Sequence, residues 1–113
     1  FIKIRGKTAV REEPAIFDTG ASFMLIPTED AIDLGYDLSV APTFPVLTAS
    51  GIIQPPKIIL DEVSIGELRA QNVACLCYNM PNANIRALCG LSFLEHFKMN
   101  LDFKRNILEL EDP

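Results

Sequence analysis

An all-β fold, a small barrel or sandwich with one or two short helices, is what this sequence predicts. Apolar and β-branched runs of strand length recur along the chain, and three clusters of turn-forming residues each sit between two such runs. Many short strands with two brief helices between them give a β barrel or sandwich. With 113 residues and 49% hydrophobic content, residues 1–113 form one domain with one modest core. There is no internal repeat and no low-complexity tract.

The elements follow in order. Residues 9–17 carry Val10, Ala15, Ile16 and Phe17 around Pro14, which suits a bent or edge strand. Phe23 to Ile26 is the next strand. Pro27 to Gly35 reads as a helix of two turns at most, with Thr28 as its N-cap, acids in the first turn and Gly35 as its stop. Val46-Leu47-Thr48 and Ile52-Ile53-Gln54 pair around Ala49-Ser50-Gly51, bracketed by Pro42, Pro45, Pro55 and Pro56. A second hairpin joins Lys57–Ile65 to Leu68–Tyr78 through Gly66-Glu67, and residues 79–84 form a loop. Ser92 to Phe97 gives a helical turn or two. Residues 99–103 and 107–110 close a third hairpin around Lys104-Arg105-Asn106.

One segment carries chemistry. The apolar run Ala15-Ile16-Phe17 delivers Asp18 into Thr19-Gly20-Ala21-Ser22. A carboxylate at the end of a buried strand is costly unless donors surround it, and Gly20 lets the backbone fold back to supply N–H groups. An Asp-Thr-Gly triplet alone arises by chance in about one chain in fifty of this length, and a structural β-turn is its plain rival. The flanks add weight to it.

Ala15 to Ser22, followed by Phe23-Met24-Leu25-Ile26-Pro27, resembles the active-site segment of single-domain, retropepsin-like aspartic proteases. Ala87-Leu88-Cys89-Gly90-Leu91 to Phe97 is similar to that family's apolar-apolar-Gly element and the short helix after it, and Lys98 to Leu110 to its closing strands. The resemblance implies a small closed acid-protease barrel, an aspartic endopeptidase acting on polypeptide, and a homodimer that supplies one Asp18 from each chain. A two-lobed enzyme would need two such loops in roughly twice the length, and this chain has one. By the same resemblance, Asp18 is catalytic, the Thr19 hydroxyl bonds across the dimer axis, and the Gly20 N–H points at the carboxylate. Ala21 and Ser22 edge the cleft, and Thr48-Ala49-Ser50-Gly51 form the tip of a flap over bound peptide. Retroviral enzymes usually carry an acid where Ser22 stands, and a tyrosine and glycine-rich tip where this hairpin has neither. An ordinary surface hairpin is the alternative for residues 48–51. An apolar preference around the cut is expected from the family and from Phe23, Ile52 and Ile53; products rich in charged flanking residues would overturn it.

Composition bounds the remaining classes. The net charge is −5, and ten basic residues are spread thinly, so no basic stripe exists for nucleic acid. No run of 18 apolar residues is present, so the sequence predicts a soluble segment without membrane contact. A first residue of Phe suggests a processed product or an excised domain, with any targeting or anchoring segment outside it. Three cysteines, an odd number, argue against a secreted disulfide framework and for a cytoplasmic or cytoplasm-facing location.

Cys75 and Cys77 would emerge on one face of a strand. Only Cys89 and His96 could complete a zinc set and nothing brings them together, so buried thiols, no metal and no cofactor are expected. His96 reads as a surface or capping histidine. Two rivals to the protease stay open: a catalytically weak binding or dimerisation module of the same fold, and a scaffold domain in a larger protein.

Overall fold

The computed structural model describes residues 1–79 and 87–112, without the side chains of Leu101 and Leu108. The N-terminal strand β1 (Ile2–Arg5) has no counterpart among the strands read from sequence, although Ile2 and Ile4 point into the core while Lys3 and Arg5 face out. Four residues are too short a run for that alternation to register. Next come β2 (Val10–Glu13) and β3 (Ala15–Phe17), where the sequence suggested one bent strand. Pro14 divides them because it has no N–H to give a ladder, and the halves take different neighbours. β2 pairs antiparallel with β1, whereas β3 lies parallel to β9 (Ala87–Cys89).

Strand β4 (Met24–Ile26) leads into helix α1 (Thr28–Asp33). The expected N-cap is corrected here: Pro27 holds that position and Thr28 lies inside the helix. Thr28 instead turns outward, its N–H (3.0 Å) and hydroxyl (3.2 Å) donating to Asn79 Oδ1. Gly35 ends the helix as expected, its N–H reaching Ile32 O at 2.9 Å. The hairpin β5 (Val46–Thr48) and β6 (Gly51–Ile53) pairs Thr48 with Gly51, so the turn is Ala49-Ser50 and Gly51 begins the return strand. Its φ of +119° is open only to glycine at low cost.

The long hairpin β7 (Lys57–Ile65) and β8 (Leu68–Cys77) is the backbone of the fold. Most of the loop expected over residues 79–84 lies outside the described residues. Helix α2 (Leu91–Leu94) begins one residue before the expected helical turn and is a single turn long. The final hairpin joins β10 (Lys98–Asp102) to β11 (Ile107–Glu111). Its turn is held by Asp102, whose Oδ1 accepts the N–H groups of Lys104 and Arg105 at 3.1 and 3.2 Å.

Seven strands form one sheet in the order β2-β1-β7-β8-β4-β9-β3, curled into a nearly closed barrel. Ile4, Met24, Ile26, Leu60, Val63, Val73, Phe93 and Leu94 fill it and are solvent-free. All three cysteines are buried as free thiols. Burial raises each thiol pKa, that of Cys77 to about 11 and Cys89 to about 12, so they serve as small apolar side chains at neutral pH.

One polar cluster is also buried. Glu13 at the end of β2 is 3% exposed and Asp30 in α1 is 1% exposed. The Arg11 guanidinium reaches Glu13 at 3.1 Å, Asp30 at 3.4 Å and the outer Asp33 at 3.3 Å. One cation thus holds three carboxyls and ties β2 to α1. Burial, with the neighbouring Asp30 as a further cause, raises the Glu13 pKa to about 7.

Candidate active site

Two loops interlock at one end of the barrel. β3 runs parallel to β9 with Phe17 opposite Cys89, and β4 crosses β9 antiparallel at Leu25–Leu88. The chain therefore leaves β3, turns through Asp18 to Ser22, and returns as β4 on the other side of β9. The end of β9 is threaded between these arms. Leu91 N–H donates to Ala21 O at 2.8 Å and Ser92 N–H to Ser22 O at 2.9 Å. Gly90 makes this possible, because a Cβ there would lie 2.7 Å from Ala21 O and overlap the Phe23 carbonyl. Only a residue without a side chain permits that approach.

Ser92 ties a third strand into the junction. Its buried hydroxyl accepts Met24 N–H at 2.8 Å and donates to Ala74 O of β8 at 2.7 Å. Sequence reasoning treated Ser92 only as part of a helical turn. A hydroxyl in a run of apolar residues, just after a glycine, was the signal available.

Asp18 sits at the head of these loops. Its N–H donates to Cys89 O at 3.0 Å, continuing the β3–β9 ladder by one residue, and its own carbonyl accepts Ala21 N–H at 3.2 Å. The carboxylate Oδ1 accepts the Gly20 N–H at 2.9 Å. A Cβ on Gly20 would come within 3.2 Å of that same oxygen, so glycine suits the tight fit. Asp18, Thr19 and Gly20 are exposed, as are Ile16 (46%) and Phe17 (42%) of the edge strand behind them. Among the described residues β3 is the edge strand of the sheet, so an exposed carboxylate stands beside exposed apolar side chains there.

Beside the loop lies a cavity of about 270 Å³, lined by Gly20 to Leu25 with Val46, Leu76 and Leu88. Ala21 and Ser22, the residues expected to edge a cleft, are among those that line this cavity. Val46 brings in the first strand of the β5–β6 hairpin, whose Leu47 (81%) and Ile52 (70%) are exposed. Thr48, Ala49, Ser50 and Gly51 form its far end and do not line the cavity. Thr48 closes that tip, its hydroxyl donating to Gly51 O at 2.8 Å and accepting Ser50 N–H at 3.2 Å. Among the described residues, no group of three or more His, Cys, Asp or Glu is placed to hold a metal ion, and no helix is long and apolar enough to cross a membrane.

These loops and this barrel define a class, and comparison with known proteins supports it. Residues 3–96 match the family described as "gag-polyprotein putative aspartyl protease". The crystal structure of a retropepsin-like aspartic protease from Rickettsia conorii superposes with a TM-score of 0.65 at 34% identity, covering 83% of this chain and 69% of that one. An uncharacterised Sinorhizobium protein, encoded in the cobV 5′ region, is 33% identical over 100 residues, or 86% of this chain. The chain spans 41% of the length of that relative. The chain belongs to the gag-type aspartyl protease family, and its fold is retropepsin-like.

Proposed function

We propose that the protein is an aspartic endopeptidase whose active site forms between two copies of the chain, each giving one Asp18. The observation that carries this is the position of Asp18, exposed at the head of two interlocked loops with its Oδ1 held by the Gly20 N–H and an apolar cavity alongside. Rigid backbone on both sides fixes the carboxylate, and exposure leaves it available to a partner.

In a twofold dimer, residues at the axis face their own copies, so two Asp18 carboxylates would come within hydrogen-bond reach. Like charges that close cannot both ionise cheaply, so the pair holds one proton between them. The ionised Asp18 removes a proton from a water held between the two as that water attacks the scissile carbonyl. The protonated Asp18 donates to the carbonyl oxygen and stabilises the developing oxyanion. The Thr19 hydroxyl would reach the partner loop, and exposed Ile16 and Phe17 would be covered there. Extended substrate would lie along Ala21 and Ser22 with an apolar side chain in the cavity, while Thr48, Ala49, Ser50 and Gly51 close over it as a flap.

Digestion of an unbiased peptide mixture at several pH values, read by mass spectrometry, tests this. Asp18→Asn keeps the shape and removes the ionisable group, and cleavage is expected to fall by about a thousandfold or more. Sedimentation of both proteins gives the oligomeric state in the same samples. No cleavage that depends on Asp18, with the dimer present, would assign the domain to binding instead of aspartic proteolysis.

A further inference from the structure

At the foot of the β5–β6 hairpin, three side chains from separate segments meet. Phe23 lines the cavity that Gly20 to Leu25 border. Phe44 lies two residues before β5, and its ring meets the Phe23 ring edge-on, with centroids 4.9 Å apart at 72°. Lys57 opens β7, just after the hairpin, and its Nζ stands 5.1 Å from the Phe23 centroid and 5.8 Å from that of Phe44. Among the described residues Lys57 makes no ion pair, so the ring faces are the partners of its charge.

Backbone bonds bring the two feet of the hairpin to this point. Phe44 N–H donates to Pro55 O at 3.0 Å, Lys57 N–H donates to Pro42 O at 2.7 Å, and Thr43 bridges Pro56. Prolines on both sides restrict the backbone and give the feet little freedom to slide. Among the described residues the hairpin pairs only with itself, as a separate two-stranded sheet. Its tilt over the cavity is therefore governed at the foot, where Phe23 belongs both to the cavity wall and to the stack.

We infer that Phe23, Phe44 and Lys57 form a clasp that positions the β5–β6 hairpin over the cavity and thereby sets which substrate side chain the cavity accepts. The role in substrate selection rests on the protease reading; the mechanical role does not. Lys57 acts through the two rings and is a positioning residue. Neutralising it frees the Phe23 ring to move, which alters the cavity wall, and loosens the hairpin, which must then be ordered by substrate.

Lys57→Met keeps the stem length and removes the charge, and Lys57→Arg keeps a cation able to stack on aromatic faces. With a peptide library, Lys57→Met is expected to raise KM by about three- to tenfold with kcat changed less than twofold. Preference at the substrate position that fills the cavity should broaden, and Lys57→Arg should restore it. Backbone amides of residues 46–53 should exchange with deuterium faster in Lys57→Met, by about the same factor, in a measurement that needs no activity. Phe44→Leu should move both readouts in the same direction. Unchanged exchange in Lys57→Met, or faster exchange with unchanged selectivity in an active enzyme, overturns the clasp. If the wild type shows no cleavage that depends on Asp18, the protease reading fails separately, and exchange in the hairpin still decides whether the clasp exists.

Discussion

Asp18 lies between Glu13 and Asp30 in the sequence, and the fold treats it and that pair of carboxyls oppositely. Glu13 and Asp30 are nearly solvent-free and share the Arg11 guanidinium, so their charge is managed inside one chain. Asp18 is exposed and held by a backbone N–H. A buried carboxylate needs its counter-charge built in, because desolvation would otherwise neutralise it or unfold the chain. One meant to meet a partner must forgo that. The buried pair is architecture, and the exposed one is the carboxyl that the proposed function sets against its copy in a second chain.

Gly90→Ala should break the exposed site most severely. The new methyl would overlap the Phe23 carbonyl and crowd the Ala21 carbonyl, which accepts the Leu91 N–H that joins the two loops. A loss of about 3 kcal/mol or more is expected, visible as a large fall in denaturation midpoint. An Ala variant as stable as the wild type would mean that the two loops are not locked as described.

The buried pair is read through pH. Glu13 holds its proton more tightly in the folded chain, with a pKa of about 7 against an ordinary 4.5, chiefly because burial penalises its charged form. Its contribution to stability is therefore full below pH 4.5, declines as pH rises, and is gone above about 7. Arg11 and Asp30 are the charged groups that face it. Raising the pH from 5 to 8 should lower Tm by roughly 5 °C at fixed protein concentration. Glu13→Gln cannot ionise, so its Tm should depend less on pH over that interval. Equal pH dependence in the two proteins would remove Glu13 from the account.

How much of each region was legible differs for a physical reason. Asp18 and Gly20 stood out because local chemistry couples them, a carboxylate at a strand end and a glycine to fold over it, whereas Gly90 stood out only through the family resemblance. The hairpins were legible from their turns, down to Gly66 between β7 and β8. Glu13 and Asp30 gave no such signal, since a glutamate after Arg11-Glu12 and an aspartate in the first turn of a helix look like solvated residues until β2 is packed on α1. The roles of Phe44 and Lys57 depend likewise on which segments meet at the hairpin foot. Strand β1 and the N-cap of α1 were missed at the scale of one to four residues, where Pro27 preceding Thr28 allowed two starting points for the helix.

Ser92→Ala sharpens the comparison at the smallest scale, because it removes a buried polar group from the exposed site's support without touching its surface. The hydroxyl links β4 to β8 by accepting from Met24 and donating to Ala74. Alanine leaves the Met24 N–H and the Ala74 carbonyl without that partner, and the cost of about 1–3 kcal/mol comes mainly from those two stranded groups. Ser92→Cys, with a weaker donor and acceptor in a similar shape, should fall between wild type and Ala. Asp18 lies at the other end of the same loop, so its reach toward a partner should suffer as well: activity under conditions where Ser92→Ala is fully folded should be lower than wild type. If stability falls and activity per folded molecule does not, Ser92 supports the barrel and the carboxylate is fixed by the Cys89 and Gly20 contacts alone.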